Sequence, residues 1–199
     1  MASTTSPLEE LFSTRARALA GASLRVGEVG PGISFTYGLP DPGSLPSAAI
    51  VEATARALSA ADGPWALQYG SAKGQAGLLG VLAEKLARDQ HIGVTDDNLI
   101  ITNGSFHAIE LIAQALIDPG DVVLVEAPTW SGAVMIYQRA GARLVAVPTD
   151  DEGIDLSALE ATLANLRAQG TRPKFLYTLP TFHNPKGITQ SLARRRGLV

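Results

Sequence analysis

From about residue 99 onward, apolar positions along this chain follow two alternating rhythms. Continuous apolar runs occupy 99–102, 122–126, 144–147 and 174–178. Runs that short, with no polar face, predict strands buried on both sides of a sheet. Between them, 105–116, 131–140 and 156–168 place apolar residues at helical spacing, and a further helix opens at Leu192. Turn formers such as Asp118-Pro119-Gly120-Asp121 separate the two kinds of segment. Strict β/α alternation implies right-handed crossovers, and therefore an α/β fold: three layers, α/β/α, around a mostly parallel sheet.

Upstream the rhythm changes. Leu8, Leu11, Phe12, Arg15 and Leu19 recur at helical spacing, with Gly21 placed to stop that helix. Positions 27–46 are too dense in Gly and Pro for a helix or a central strand and read as an irregular arm. A helix is expected from Pro46 to Ser59 and another over 74–89, where Leu79, Leu82, Ala83 and Leu86 share a face. The expected division is an N-terminal helix and arm over 1–45 and one large domain over 46–199. Gly74, Gly77 and Gly80 suit close helix packing and do not form a Gly-x-Gly-x-x-Gly nucleotide fingerprint.

Composition narrows the function classes. With 199 residues, 46% of them hydrophobic, the chain can bury a core. A net charge of -3 offers no basic field for nucleic acid, and Arg194-Arg195-Arg196 reads as a solvated helix face. The absence of cysteine excludes disulfides and thiolate chemistry. His91, His107 and His183 are scattered, with no metal-ligand spacing, and read as surface or loop residues. No apolar run approaches a membrane span and the N-terminus lacks a signal pattern, so the expected location is cytoplasmic.

Candidate chemistry collects in the loops that follow the strands, because open α/β sheets bind ligands at their carboxyl edge. Asn103-Gly104-Ser105-Phe106 runs straight into a helix N-terminus, whose amides suit an anion such as phosphate. Ala127-Pro128-Thr129-Trp130 brings a large aromatic plane, and Leu179-Pro180-Thr181-Phe182-His183-Asn184-Pro185-Lys186-Gly187 brings a carboxamide at a fixed turn. Each also has an ordinary use: Ser105 as a helix cap, Trp130 as core filling, Asn184 as a turn residue. Taken together they describe a site for a phosphorylated aromatic cofactor.

In order and spacing, Tyr69-Gly70, Asn103-Gly104-Ser105, Glu126-Ala127-Pro128-Thr129-Trp130 with Ser131-Gly132-Ala133, and His183-Asn184-Pro185-x-Gly187 resemble the class I/II aminotransferases. These are fold-type I pyridoxal-phosphate enzymes of the aspartate aminotransferase superfamily. The arm Gly38-Leu39-Pro40-Asp41-Pro42 resembles the subgroup of 2-aminoadipate aminotransferases and the effector domains of MocR-type regulators. The resemblance implies pyridoxal 5'-phosphate, with Gly104, Ser105 and Phe106 at its phosphate, Trp130 stacked on the pyridine ring and Asn184 on the phenolic oxygen. It implies that Tyr69 reaches the phosphate of the neighbour in a homodimer, and that Gly38 approaches the carboxylate of an amino acid or 2-oxo acid substrate. Arg25 matches weakly an arginine used on a distal carboxylate, against its simpler reading as a surface arginine. Cis peptide bonds are implied at Ala127-Pro128 and Asn184-Pro185.

Two departures stand out. Lys186 replaces a small hydroxyl residue, and its stem is expected to reach solvent. The chain also ends before the family's pyridine-nitrogen aspartate, Schiff-base lysine and carboxylate-binding arginine, and Lys73, Lys85, Lys174 and Lys186 match none of these. The expectation is the N-terminal half of an aminotransferase, inactive by itself and exposing apolar surface. A MocR-type effector domain is the alternative, disfavoured because the residues before Leu8 leave no space for a DNA-binding domain. A non-catalytic remnant remains a third reading.

Overall fold

The computed structural model of the chain describes residues 11–13, 16 and 38–199. They belong to two compact units, Met1–Gln75 and Ala76–Val199. Most of the helix expected over 8–19 and most of the arm lie outside the described residues.

In the first unit, Asp41 caps a 3-10 turn at Pro42–Ser44 by accepting from Gly43 N at 3.1 Å. Helix α1, Ser47–Ser59, follows directly after Pro46. Its end is closed by a second turn, Gly63–Leu67, in which Gly63 N donates to Ala60 O at 2.8 Å. A Cβ at Gly63 would stand 2.2 Å from Leu58 O, so this close approach of two backbones requires glycine.

The second unit is built on β1, Val122–Ala127. It pairs in parallel with β2, Arg143–Asp150, and with β4, Phe175–Tyr177. The order is β3-β2-β1-β4, where β3 is the two-residue strand Gly153–Ile154, antiparallel to β2. Side chains on β1 alternate between two cores. Val123 and Val125 face Ala113, Ile117, Ala133, Ile136 and Tyr137, whereas Val122 and Leu124 face Val147, Ile154, Leu159 and Leu166. The first core is roofed by α3, Gly104–Leu116, and α4, Ser131–Arg139; the second is floored by α5, Leu156–Ala168. Helix, sheet and helix therefore form the three expected layers. Helix α2, Ala76–Gln90, precedes them and α6, Leu192–Gly197, follows them.

Asp155 starts α5 by accepting from Ala158 N at 3.0 Å, and Ser191 caps α6 through Arg194 N. Among the described residues no helix is long and apolar enough to cross a membrane.

One expectation fails here. Residues 99–102 form no strand, because no described strand offers them ladder hydrogen bonds, and Ile100 stays 56% exposed. The sheet is mostly parallel, as expected, with β3 as its antiparallel exception: the chain doubles back at Asp150 through Gly153, whose φ of +117° glycine alone adopts comfortably, to make the β2–β3 hairpin.

Candidate functional site

The carboxyl end of β1 carries the site's first half. After a cis Ala127-Pro128 bond the chain reaches Trp130, which immediately precedes α4. The half-buried indole packs edge-on against Phe106, centroids 6.1 Å apart and planes at 85°. Gly132 makes room for it, since a Cβ there would lie 2.2 Å from the indole. Phe106 sits in the first turn of α3, so this contact draws the Gly104 loop to the end of β1.

At that helix start Gly104 has φ +75° and an open space where a Cβ would stand. Gly104 N donates back to Thr102 O at 2.9 Å, whereas the amides of Ser105 and Phe106 have no carbonyl one turn earlier in the helix to bond. Ser105 lies inside the first turn; Asn103, which makes no side-chain cap, holds the capping position. The opening is therefore an exposed turn of donors at the positive end of a helix dipole.

The second half lies beyond β4. Because β4 runs parallel to β1, its carboxyl end emerges on the same edge, and the Glu126 carboxylate ties the two together. Glu126 is 2% exposed; Thr178 Oγ1 donates to its Oε1 at 2.8 Å and Leu179 N to its Oε2 at 2.9 Å. His183, 3% exposed, brings Nε2 within 3.1 Å of Oε2. That N–H is not aligned with the oxygen, so the pair is a close polar contact and not a formed hydrogen bond. Nδ1 of His183 accepts from the Lys186 N–H at 3.4 Å, which leaves Nε2 as the nitrogen turned toward Glu126. A second cis bond, Asn184-Pro185, follows. The Asn184 side chain is exposed and has no hydrogen-bond partner among the described residues. Phe182 is 82% exposed with φ +49°.

Several side chains differ from expectation. His183 is buried, because Glu126 and its own loop enclose it. Lys186 does not reach out to solvent: Nζ donates to Asp150 O at 2.7 Å and approaches Thr149, pinning the loop to the β2–β3 hairpin. Arg194 and Arg195 are not a solvated face. Arg194 donates to Ile154 O and the Asp150 carboxylate, and Arg195 to Pro180 O, Gln190 O and Thr181 Oγ1, since the carbonyls of a turning loop need donors. Arg196 alone of the three remains exposed.

Electrostatics beneath the site are set by burial. The Tyr137 phenol is pushed up to about 12, by desolvation first and then by Tyr177. Tyr177 is raised by desolvation and by the Glu126 charge. Their rings meet edge-on, centroids 5.6 Å apart.

The structure thus brings Gly104, Ser105, Phe106, Trp130 and Asn184 to one sheet edge. Thr129, whose Oγ1 is buried without a hydrogen-bond partner among the described residues, lies in the same loop as Trp130. Gly38 and Tyr69 belong to the first unit, where both are exposed, Tyr69 at 101%. Arg25 lies outside the described residues. The Glu126–His183 pair is absent from the expected site, although a carboxylate closing an apolar run is a readable signal: burying it demands donors.

Fold and site together define a three-layer α/β/α protein with an anion-receptive helix start, an aromatic plane and a free carboxamide on one sheet edge. The chain belongs to the class I and II aminotransferases, whose family model matches residues 33–198. It is 35% identical over 195 residues to the aromatic-amino-acid aminotransferase 1 of Thermococcus litoralis, covering 96% of this chain and 46% of that protein. It is 41% identical over 170 residues to the 2-aminoadipate transaminase of Thermus thermophilus, covering 85% and 40%. The crystal structure of the Pyrococcus horikoshii kynurenine aminotransferase in complex with PMP superposes with a TM-score of 0.84 at 34% identity, covering 96% of this chain and 48% of that one. The chain spans about half the length of the curated relatives it matches.

Proposed function

We propose that this chain forms part of an aminotransferase that moves an amino group between an amino acid and a 2-oxo acid with pyridoxal 5'-phosphate. The observation that carries the reading is the meeting of the Gly104 helix start, Trp130 and Asn184 on one edge. The residues present fit the group. An open, positive-φ glycine at a helix N-terminus suits a phosphate, and a half-buried indole fixed at the same edge by its contact with Phe106 suits an aromatic ring. An exposed carboxamide without a partner suits a phenolic oxygen.

In this reading the Ser105 and Phe106 amides and the Ser105 hydroxyl hold the phosphate. Trp130 stacks on the ring, and Asn184 donates its N–H to the phenolic oxygen. When bound, the cofactor supplies an electron sink for the charge left as a substrate loses its α-proton. The protein orients that ring and supplies the electrostatics around it. The family resemblance assigns the Gly38 backbone to the substrate carboxylate and Tyr69 to the phosphate of a second copy in a homodimer; both residues are exposed in the first unit. No lysine of this chain is assigned a covalent role. Lys186, the nearest in sequence to Asn184, already spends its ammonium on the β2–β3 carbonyls.

The test is calorimetric titration of the purified chain with pyridoxal phosphate. Saturable 1:1 binding is expected, weakened by Ser105→Ala and Asn184→Ala about tenfold or more each, as for lost hydrogen bonds to charged groups. Equal affinity in the parent and both variants would refute the assignment.

A further inference from the structure

We propose that Glu126 and His183 are positioning residues: a buried clamp that presents Asn184 at the site edge without touching the cofactor. This rests on the reading that Asn184 meets the cofactor ring. Glu126 extends the Val122–Val125 run at the end of β1, where the four residues before it are buried hydrophobics. A carboxylate so placed is costly, and an apolar residue of similar volume would serve stability as well or better. What Glu126 contributes is direction. Among the described residues, the polar groups that approach its two oxygens belong to one segment: the Thr178 hydroxyl, the Leu179 N–H and the His183 ring. That segment leads directly into Asn184.

Downstream the segment is held again. Lys186 reaches the Asp150 carbonyl, His183 N donates to Ile188 O at 2.8 Å, and Gly187 N donates to His183 O. The Asn184 side chain, exposed and without a hydrogen bond among the described residues, does not hold itself in place. Its position is inherited from His183 on one side and Lys186 on the other. Thr149, whose hydroxyl donates to Ala127 O at 3.1 Å, links the Lys186 anchor back to the β1 end that carries Glu126. The clamp and the anchor therefore refer the Asn184 loop to the same strand end that presents Trp130.

The test uses Glu126→Gln, which keeps the shape but turns one acceptor into a donor, and Thr178→Val, which removes one contact and leaves Glu126 in place should the first variant fail to fold. The first readout is amide hydrogen exchange without cofactor. Exchange over 179–187 is expected to accelerate about tenfold in either variant while β1 and β2 amides keep their protection, the scale of one lost charged hydrogen bond. The second readout is pyridoxal phosphate affinity in double-mutant cycles. Either variant is expected to weaken binding several-fold when Asn184 is present and to add nothing in the N184A background, while its effect adds fully to that of S105A. Unchanged exchange in the loop, or an equal loss of affinity with and without Asn184, would overturn the clamp. If the parent chain binds no pyridoxal phosphate, the proposed function falls and with it the cofactor role of the clamp; loop exchange still decides whether Glu126 holds the loop.

Discussion

Gly132 decides where the Trp130 indole lies. With a Cβ at 2.2 Å from the ring, no alanine fits unless the indole swings off Phe106 or the start of α4 shifts. Gly132→Ala is expected to cost about 1–3 kcal/mol, the range for overpacking a filled core, and to disturb the near-ultraviolet circular dichroism of the indole. Urea unfolding measures the first effect; an unchanged midpoint would show that the ring has room to move. The glycine is legible as a small residue two places after a large aromatic, yet spacing alone does not say that the ring folds back over it. Nor did it reveal Glu126 and His183 as a pair, because 57 residues separate them and only the parallel pairing of β1 with β4 brings them together.

At the level of elements, periodicity read the central layers well because strands buried on both faces are continuous apolar runs; 122–126 and 174–178 became β1 and β4 with small changes at the ends. It failed at 99–102, where the same pattern lacks a described partner, and at β3, where two residues carry no period at all. The hairpin that β3 closes is held by charge, which periodicity does not see. Asp150 is held below its usual value of 3.8, first by the Glu152 N–H and then by Arg194 and Lys186. A depressed folded value means that the unfolded chain takes up the proton first as pH falls. The stabilisation is present above about pH 4 and is lost as pH drops through the folded value. The urea midpoint should therefore decline on acidification, and Asp150→Asn should flatten part of that decline. A variant that keeps the full acid dependence would assign it to other carboxylates.

For the molecule as a whole, the sheet separates two cores, and the one beneath α3 and α4 holds the edge-on phenols of Tyr137 and Tyr177. With Tyr137 near 12 in the folded state against 10.0 for an ordinary phenol, the unfolded chain ionises first. The sign is opposite to that of Asp150: the contribution is complete below pH 10, shrinks as pH rises, and is gone once the folded value is passed. Stability is expected to fall between those limits. Phenolate absorbance should show Tyr137 titrating only as the fold is lost, and Tyr137→Phe should remove part of the alkaline decline. A Tyr137 that titrates normally in the intact fold would contradict its burial.

The lock between Gly153 and Gln190 restricts the order in which this sequence can drift. A Cβ at position 153 would meet Gln190 at 2.5 Å, and the φ of +117° penalises any side chain there besides. Gln190 is 4% exposed, and its amide nitrogen and oxygen lack hydrogen-bond partners among the described residues. Shrinking Gln190 sheds two unsatisfied atoms at the expense of some packing, whereas changing Gly153 first meets both a clash and a strained backbone. Position 190 is therefore free to diverge while 153 stays fixed, so in lineages descended from this chain the glycine should outlast the glutamine it accommodates.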